Sequence, residues 1–336
     1  MGTQPLVSIL MPVRNEERFL PAALRSLASQ TLTDWELVAV DDGSTDATPA
    51  ILAEAALRDP RIRVMGSPEP GLVPALNAGL AACRASLVAR MDGDDVSHPR
   101  RLAGQAEFLA REPGVGLVAS AFRHFPRTGL RVGMLAYESW QNALTSHETM
   151  VADLFVESPF VHPSVMFRRE AVLAVGGYRD LGWAEDYDLW LRLAGAGIRF
   201  ARLPEKFFFW RDRPERATRT MTAYSPEAFR SCKLHHLCQG FLEGEREVVL
   251  AGAGREGRAW CRALAGVGMR VSAWVDVDPR KVGRTLHGAP VLPADVVTPD
   301  GRKLLITVGT RGARAGVRGW AQQAGFVEGK DFLCVT

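Results

Sequence analysis

The sequence contains no apolar run approaching the roughly 20 residues needed to span a bilayer. Its amino terminus lacks a basic segment leading into a long apolar stretch, so neither a secretory leader nor a membrane anchor is expected. Cysteine is scarce: Cys83, Cys232, Cys238, Cys261 and Cys334 form an odd set without framework spacing, which predicts reduced thiols in a cytoplasmic protein and no disulfide scaffold. Peripheral contact with the inner face of a membrane stays open. The Cys232-x-x-His235-His236-x-Cys238 stretch falls in a helical pattern and lacks the paired spacing of zinc sites. No long basic run occurs and the formal net charge is only +3 at pH 7, so nothing points to nucleic acid. Low-complexity tracts and short-period repeats are absent as well. Apolar residues at 47% and charged residues at 24% then exclude extensive disorder and fibrous or collagen-like chains.

What is present is a chain of 336 residues, long enough for two domains. Val7–Val13 reads as a buried strand, and Arg14, Asn15 and Glu16 lead into Phe19, Leu20, Ala23, Leu24 and Leu27 at helical spacing. Strands over 35–40, 61–65 and 87–91 alternate with helices through Ile51, Leu52 and Leu57 and over 72–83. This α/β alternation predicts a mainly parallel sheet with flanking helices. Further on, a helix over 102–109, a strand over 115–121, a strand-like 161–167 and helices over 169–175 and from 186 are expected. Residues 122–150 give mixed signals and read as a loop or insertion.

Polar clusters stand where three of these strands end: after Val13, after Val40 (Asp41-Asp42-Gly43-Ser44-Thr45-Asp46) and after Met91 (Asp92-Gly93-Asp94-Asp95). Open α/β sheets bind ligands beyond the carboxyl ends of their strands, so the clusters converge on one crevice. Carboxylates packed this closely repel one another, and hard oxygen ligands in this number suit Mg²⁺ or Mn²⁺. The simpler alternative for Asp92–Asp95 is an acidic surface turn. Acidic residues at 185–188 can likewise serve only to complement a helix dipole.

In this order the motifs Val7-Ser-Ile-Leu-Met-Pro-Val-Arg-Asn-Glu16, Gln30 with Trp35-Glu-Leu-Val, Asp41–Asp46, Asn77-Ala-Gly79, Met91-Asp-Gly-Asp-Asp95 and Glu185-Asp186-Tyr-Asp-Leu-Trp190 closely resemble those of the family 2 glycosyltransferases, inverting enzymes of GT-A fold that use nucleotide-activated sugars. The resemblance implies a DXD element at Asp92-Gly93-Asp94, with Asp94 the metal ligand and Asp92 nearer the ribose or a metal-bound water. It implies a nucleotide pocket lined by Pro12, Val13 and Glu16. A base contact falls to Asp41 or Asp42, with Asp41 preferred; an ionised carboxylate there accepts the ring N–H of uracil, thymine or guanine. Leu76 stands where a basic residue is frequent in the family, so Arg90 is a candidate nucleotide contact instead. Asp186 matches the catalytic base, with Glu185 and Asp188 as alternates. His162 is a further candidate for the metal or the acceptor, and Arg211 for the diphosphate. The Gln-x-x-Arg-Trp signature of processive synthases is missing, which favours transfer of single sugars to a glycan, lipid-linked or other hydroxyl acceptor.

The expected organisation is therefore a GT-A domain over 1–215, a helical linker over 216–245 and a smaller Rossmann-like α/β domain over 246–336. In the last, the strand at Glu247–Ala251 runs into Gly252-Ala-Gly254-Arg-Glu-Gly257, and Asp276 ends the next strand, the spacing of a nucleotide- or NAD-binding turn. The alternative there is a degenerate fold kept for docking or homo-oligomerisation. Three rival functions carry distinct signs. An NAD-dependent oxidoreductase needs an acid–base set after Gly257, and none is evident. A sugar nucleotidyltransferase needs a Gly-rich basic loop after the first strand, and Pro12–Glu16 is not one. A non-catalytic scaffold would tolerate loss of every cluster.

Overall fold

The computed structural model describes residues 4–310 and 312–336. The chain divides into two compact units, Met1–Met150 with Pro159–Leu181 and Glu185–Thr220, and Val151–Ser158 with Gly182–Ala184 and Met221–Thr336. Residues 221–245 thus group with the second unit rather than forming a separate linker.

In the first unit β1 (Val7–Val13), β2 (Trp35–Asp41), β3 (Ile62–Gly66) and β4 (Leu87–Arg90) are parallel, in the order β3-β2-β1-β4. The sheet continues through β5 (Val96–Ser97), β6 (Val115–Phe125), β7 (Val165–Arg168) and β8 (Arg199–Arg211) to the full order β3-β2-β1-β4-β7-β6-β8-β5, with antiparallel pairs at β4/β7, β7/β6 and β8/β5. Helices α1 (Leu20–Ala28), α2 (Thr48–Arg58), α3 (Leu72–Ala82) and α4 (Arg101–Arg111) cover it, followed by α5 (Val132–Ala143), α6 (His147–Ala152), α7 (Arg169–Ala174) and α8 (Glu185–Gly195). Every residue of β1 is buried, which is why the strand reads as an unbroken apolar run. Ile9, Met11 and Val13 pack with Leu20, Ala23 and Leu27 of α1. Leu10 and Val40 face the other way, against α3 at Gly79.

Residues 122–150 are more regular than their sequence suggests. β6 runs four residues past the expected end at Ala121 because its outer half pairs with β8, a long-range contact that no local pattern announces. The inward residues of α5 are Glu138 and Gln141, so that helix carries no apolar stripe. Glu138 instead accepts the His124 N–H at 2.8 Å and pairs with Arg127 at 2.8 Å.

The second unit contains α9-following residues from Met221 onward, where α9 is Ala217–Thr220, then α10 (Pro226–Cys238), α11 (Arg255–Gly266) and α12 (Ala313–Gln323). Its strands are β9 (Glu247–Ala251), β10 (Arg270–Val275), β11 (Thr285–Leu286), β12 (Ala289–Leu292), β13 (Lys303–Ile306) and β14 (Phe332–Cys334), ordered β11-β12-β10-β9-β13-β14. All neighbours but β11/β12 are parallel, and the winding reverses between β9 and β13. Lys233 Nζ donates to the Val156 and Val335 carbonyls at 2.7 and 3.2 Å, and Arg318 pairs with Asp153 at 2.7 Å, which ties 151–158 into this unit. Among the described residues no helix is long and apolar enough to cross a membrane.

Two predictions follow from packing and burial. Exchange of a helical glycine for alanine ordinarily stabilises by about 1 kcal/mol. At Gly79, however, a Cβ would lie 2.3 Å from Leu10 Cδ1 and 2.8 Å from Val40 Cγ2. Gly79→Ala is therefore expected to lose about 1–3 kcal/mol in urea unfolding, and a gain would contradict this packing. Burial pushes the Lys233 ammonium down to about 8. Above that value the native lysine is neutral while the unfolded one still binds a proton, so stability rises with pH up to about 10.4. The unfolding free energy of wild type relative to Lys233→Met should grow by roughly 2–3 kcal/mol between about pH 7.5 and pH 10; a flat difference would refute the buried charge.

Candidate active site

The parallel register brings the ends of β1, β2 and β4 together, with Val13 opposite Asp41 and Leu10 opposite Arg90. The first two loops are laced to each other by polar contacts. Asn15, at φ +55°, accepts the Thr45 N–H at 2.8 Å and donates its own N–H to Ser44 Oγ at 2.9 Å. Glu16 N–H donates to Thr48 Oγ1 at 2.7 Å, and Glu17 N–H to Asp46 at 3.0 Å. Asp41 accepts from the backbone and hydroxyl of Ser44, a local turn. Asp42 is buried, accepts the Gly71 N–H at 2.7 Å and lies 3.3 Å from Arg14 Nη1. Pro12 and Val13 are buried at the floor of this region.

The β4 loop then folds against β1. A Cβ on Gly93 would stand 2.8 Å from Val13 Cγ1 and 3.3 Å from Glu16 Cγ, so this close approach needs glycine. Its consequence is that Asp92, Asp94 and Asp95 each offer an oxygen within 4.8 Å of the others, beside Glu16. Burial, reinforced by Asp94, raises Glu16 to about 7. Burial and the neighbouring aspartates also raise Asp94, and raise Asp95 well above the usual carboxylate range. Among the described residues, Glu16 Oε2 and Asp95 Oδ2 are buried without a hydrogen-bond donor. Clustered, donor-starved carboxylate oxygens fit a hard divalent cation.

Several arginines surround the cluster. Arg90, expected to reach a nucleotide, is instead buried at 2% exposure, where Nη2 lies 2.7 Å from Asp92 Oδ1 and Nη1 donates to the Met91 carbonyl. Arg101, also buried, donates to the carbonyls of Arg90 and Val165 at 2.8 and 3.2 Å and to Gln105 Oε1 at 3.1 Å, fixing the end of β4 from beneath. Arg211 donates its backbone N–H to Asp95 at 2.7 Å and Nε to the Asp94 carbonyl at 2.6 Å, and its guanidinium sits over Phe19 and Phe125. Sequence reasoning missed Arg213 and Arg216. Arg213 Nε stands 2.8 Å from Asp94 Oδ2, while its Nη2 donates to Glu16. Arg216 lies 3.6 Å over the Trp210 ring. The only signal for them was the Arg- and Pro-dense run from 211 to 219.

On the other side, α8 presents Glu185 and Asp186 from its first turn. Asp186 Oδ1 accepts the Tyr187 N–H at 2.7 Å, and burial with the adjacent Glu185 charge raises its pKa well above the usual range. Asp188 is fully buried with Oδ2 2.7 Å from Arg192 Nε, a structural i,i+4 pair. His162 lies outside the carboxylate trio: Nε2 is 2.9 Å from the Tyr178 hydroxyl, Nδ1 is 3.5 Å from Glu185 Oε1, and the ring stands edge-on to Trp190. Burial, and secondly the charge of Arg90, lowers its pKa, so the imidazole is neutral. Asn77 holds the backbone of Tyr178 through two bonds of 2.9 Å, which explains that motif residue.

In the second unit Gly252 has φ +106° and a Cβ on Gly257 would fall 1.9 Å from the Gly252 carbonyl oxygen, whereas Gly254 faces open space. Asp276 is committed to its own loop: Oδ2 accepts the Ala253 N–H at 2.8 Å and lies 2.9 Å from Lys281 Nζ.

The chain is similar in sequence and fold to known proteins. The amylovoran biosynthesis glycosyltransferase AmsE of Erwinia amylovora is 33% identical over 203 residues, 60% of this chain and 74% of its own. The O-antigen biosynthesis glycosyltransferase WbnJ of Escherichia coli is 27% identical over 256 residues, 71% of this chain and 97% of its own. Among solved structures, residues 1–349 of S. aureus TarS share the fold with a TM-score of 0.55 at 19% identity, covering 70% of this chain and 66% of that one. The mannosyltransferase PcManGT of Pyrobaculum calidifontis, in complex with GDP-Man and Mn²⁺, gives 0.50 at 24% identity, covering 70% and 63%. The first unit thus has the GT-A fold. The model of glycosyl transferase family 2 matches residues 8–176, half of the 336, and the chain belongs to that family.

Proposed function

We propose that the first unit transfers a single sugar, with inversion, from a nucleotide-diphosphate sugar to a hydroxyl of a glycan, lipid-linked or other acceptor. The observation that carries this reading is the carboxylate trio at the end of β4, with oxygens within 4.8 Å of one another, in the same unit as the raised-pKa Asp186. Relatives named for amylovoran and O-antigen biosynthesis, and a neighbour holding GDP-Man with Mn²⁺, support it.

In this reading Asp94 and Asp92, with Asp95 and Glu16 beside them, hold Mg²⁺ or Mn²⁺. Such an ion, when bound, supplies positive charge against the diphosphate leaving group. The chain's own residues do the rest. Pro12, Val13 and the Asp41–Asp42 turn flank the nucleotide, and Gly93 lets the Asp92–Asp95 loop close onto β1 beside it. Asp186 takes the proton from the acceptor hydroxyl as that oxygen attacks the anomeric carbon and the bond to the phosphate oxygen breaks. A carboxyl whose pKa burial and the Glu185 charge raise above the usual carboxylate range is a stronger base for this work. Asp188 is excluded from it by Arg192. The neutral His162, fixed by Tyr178, orients Glu185 beside the base.

Transfer should be measured with UDP-, GDP- and dTDP-sugars in the presence of Mn²⁺. Asp186→Asn is expected to lower turnover by about 10²–10⁴-fold while nucleotide binding persists, and Asp94→Ala to abolish metal-stimulated transfer. Because the Glu185 charge raises Asp186, the acid limb of the rate profile should move to lower pH in Glu185→Gln. Full activity in both aspartate variants would overturn the assignment.

A further inference from the structure

We propose that Arg213 is the internal counter-cation of the donor-free site, competing with a divalent ion for Asp94 and Glu16 and passing to the diphosphate when the nucleotide sugar enters, so that metal and donor bind cooperatively. The proposal rests on the metal-dependent reading above. The guanidinium bridges carboxylates from two strand ends: Nε is 2.8 Å from Asp94 Oδ2 and Nη2 donates to Glu16 Oε1. The other arginines beside the trio each have a further partner, although the charge of Arg216 also reaches the three aspartates. Arg90 is held by Asp92 and the Met91 carbonyl, Arg101 by carbonyls and Gln105, Arg211 by the Asp94 carbonyl, and Arg216 by the Trp210 ring.

Arg213 differs in how it is carried and how well it fits. It comes from the loop between β8 and α9, next to Pro214, outside any helix or strand. Nε approaches Asp94 off its N–H axis, so the contact is a charge pair without an aligned hydrogen bond. Glu16 Oε2 and Asp95 Oδ2 stay buried beside it with no hydrogen-bond donor among the described residues. A guanidinium that satisfies only part of the cluster neutralises it incompletely and is displaced more readily than a bidentate one. A diphosphate offers paired oxygens that the guanidinium fork can engage bidentately, which this carboxylate pair does not. Any ligand that draws Arg213 from Asp94 raises the affinity for the cation, and by linkage the cation raises the affinity for that ligand by the same factor, typically 5–150-fold.

The test is direct binding. Free Mn²⁺ is followed by electron paramagnetic resonance in titrations of wild type, Arg213→Gln and Arg213→Lys, alone and with UDP, GDP or dTDP, with circular dichroism to verify folding. Without nucleotide, Arg213→Gln should bind Mn²⁺ at least about 5-fold tighter than wild type, and Arg213→Lys should lie near wild type. The mutual enhancement between Mn²⁺ and the diphosphate should shrink by a similar factor in Arg213→Gln. Equal or weaker Mn²⁺ affinity in Arg213→Gln, with wild type still binding Mn²⁺ beside a nucleotide, overturns the counter-cation and leaves the metal reading intact. Absence of Mn²⁺ binding in every protein and condition overturns both.

Discussion

Mutual repulsion among Asp92, Asp94 and Asp95 governs much of the polar architecture of the first unit. The three sit at the end of a buried strand, and Gly93 draws their loop onto β1 until Glu16 joins them. Two like charges about 4 Å apart repel by about 4 kcal/mol at an effective dielectric constant near 20. The chain answers with Arg90 on Asp92, Arg213 on Asp94 and Glu16, and the Arg211 N–H on Asp95. Even so, Glu16 Oε2 and Asp95 Oδ2 find no donor among the described residues. A loop kept for packing alone would not retain this imbalance, since amides in place of the acids would relieve it.

The support beneath the cluster is rigid where the cluster itself is charged. Arg101 ties the Arg90 and Val165 carbonyls, and so links the end of β4 to β7. Removing it would take a buried charged donor from both carbonyls, a loss of roughly 1–3 kcal/mol. Gly79 lets α3 settle on Leu10 and Val40, and Asn77 on the same helix reaches Tyr178. The carboxylate trio and the Tyr178 segment therefore share their foundations in β1, β4 and α3.

Legibility in the sequence followed the range of the interaction. Strands such as Val7–Val13 and Leu87–Arg90 announce themselves by unbroken apolar runs, and the polar residues that end them mark the crevice. The grouping of Asp92, Asp94 and Asp95 was legible because the three stand in one short motif at a strand end. β8 beyond its pairing with β6, and α5 with its polar inner face, were not, because distant partners stabilise them. Charge partners were the least visible. Nothing local distinguishes Arg90, turned inward onto Asp92, from a nucleotide contact, or identifies Arg213 as the residue 197 positions from Glu16 that meets it. Asp276 shows the same limit in the second unit, where Lys281 and the Ala253 N–H occupy the carboxylate that spacing alone assigns to a ribose.

Arg90 finally connects the two halves of the site electrically. Its charge pairs with Asp92 and also acts on His162, Tyr178 and Asp186. On Asp186 it opposes burial and Glu185, and on His162 it adds to burial in keeping the ring neutral. A single buried guanidinium thus lowers the repulsion within the carboxylate trio and limits how far the candidate base is raised. Lysine cannot substitute for it in both roles, because a point charge lacks the planar fork that holds Asp92 and the Met91 carbonyl together. The same guanidinium therefore bears on the charges of His162 and Asp186 while holding the Asp92 loop in shape.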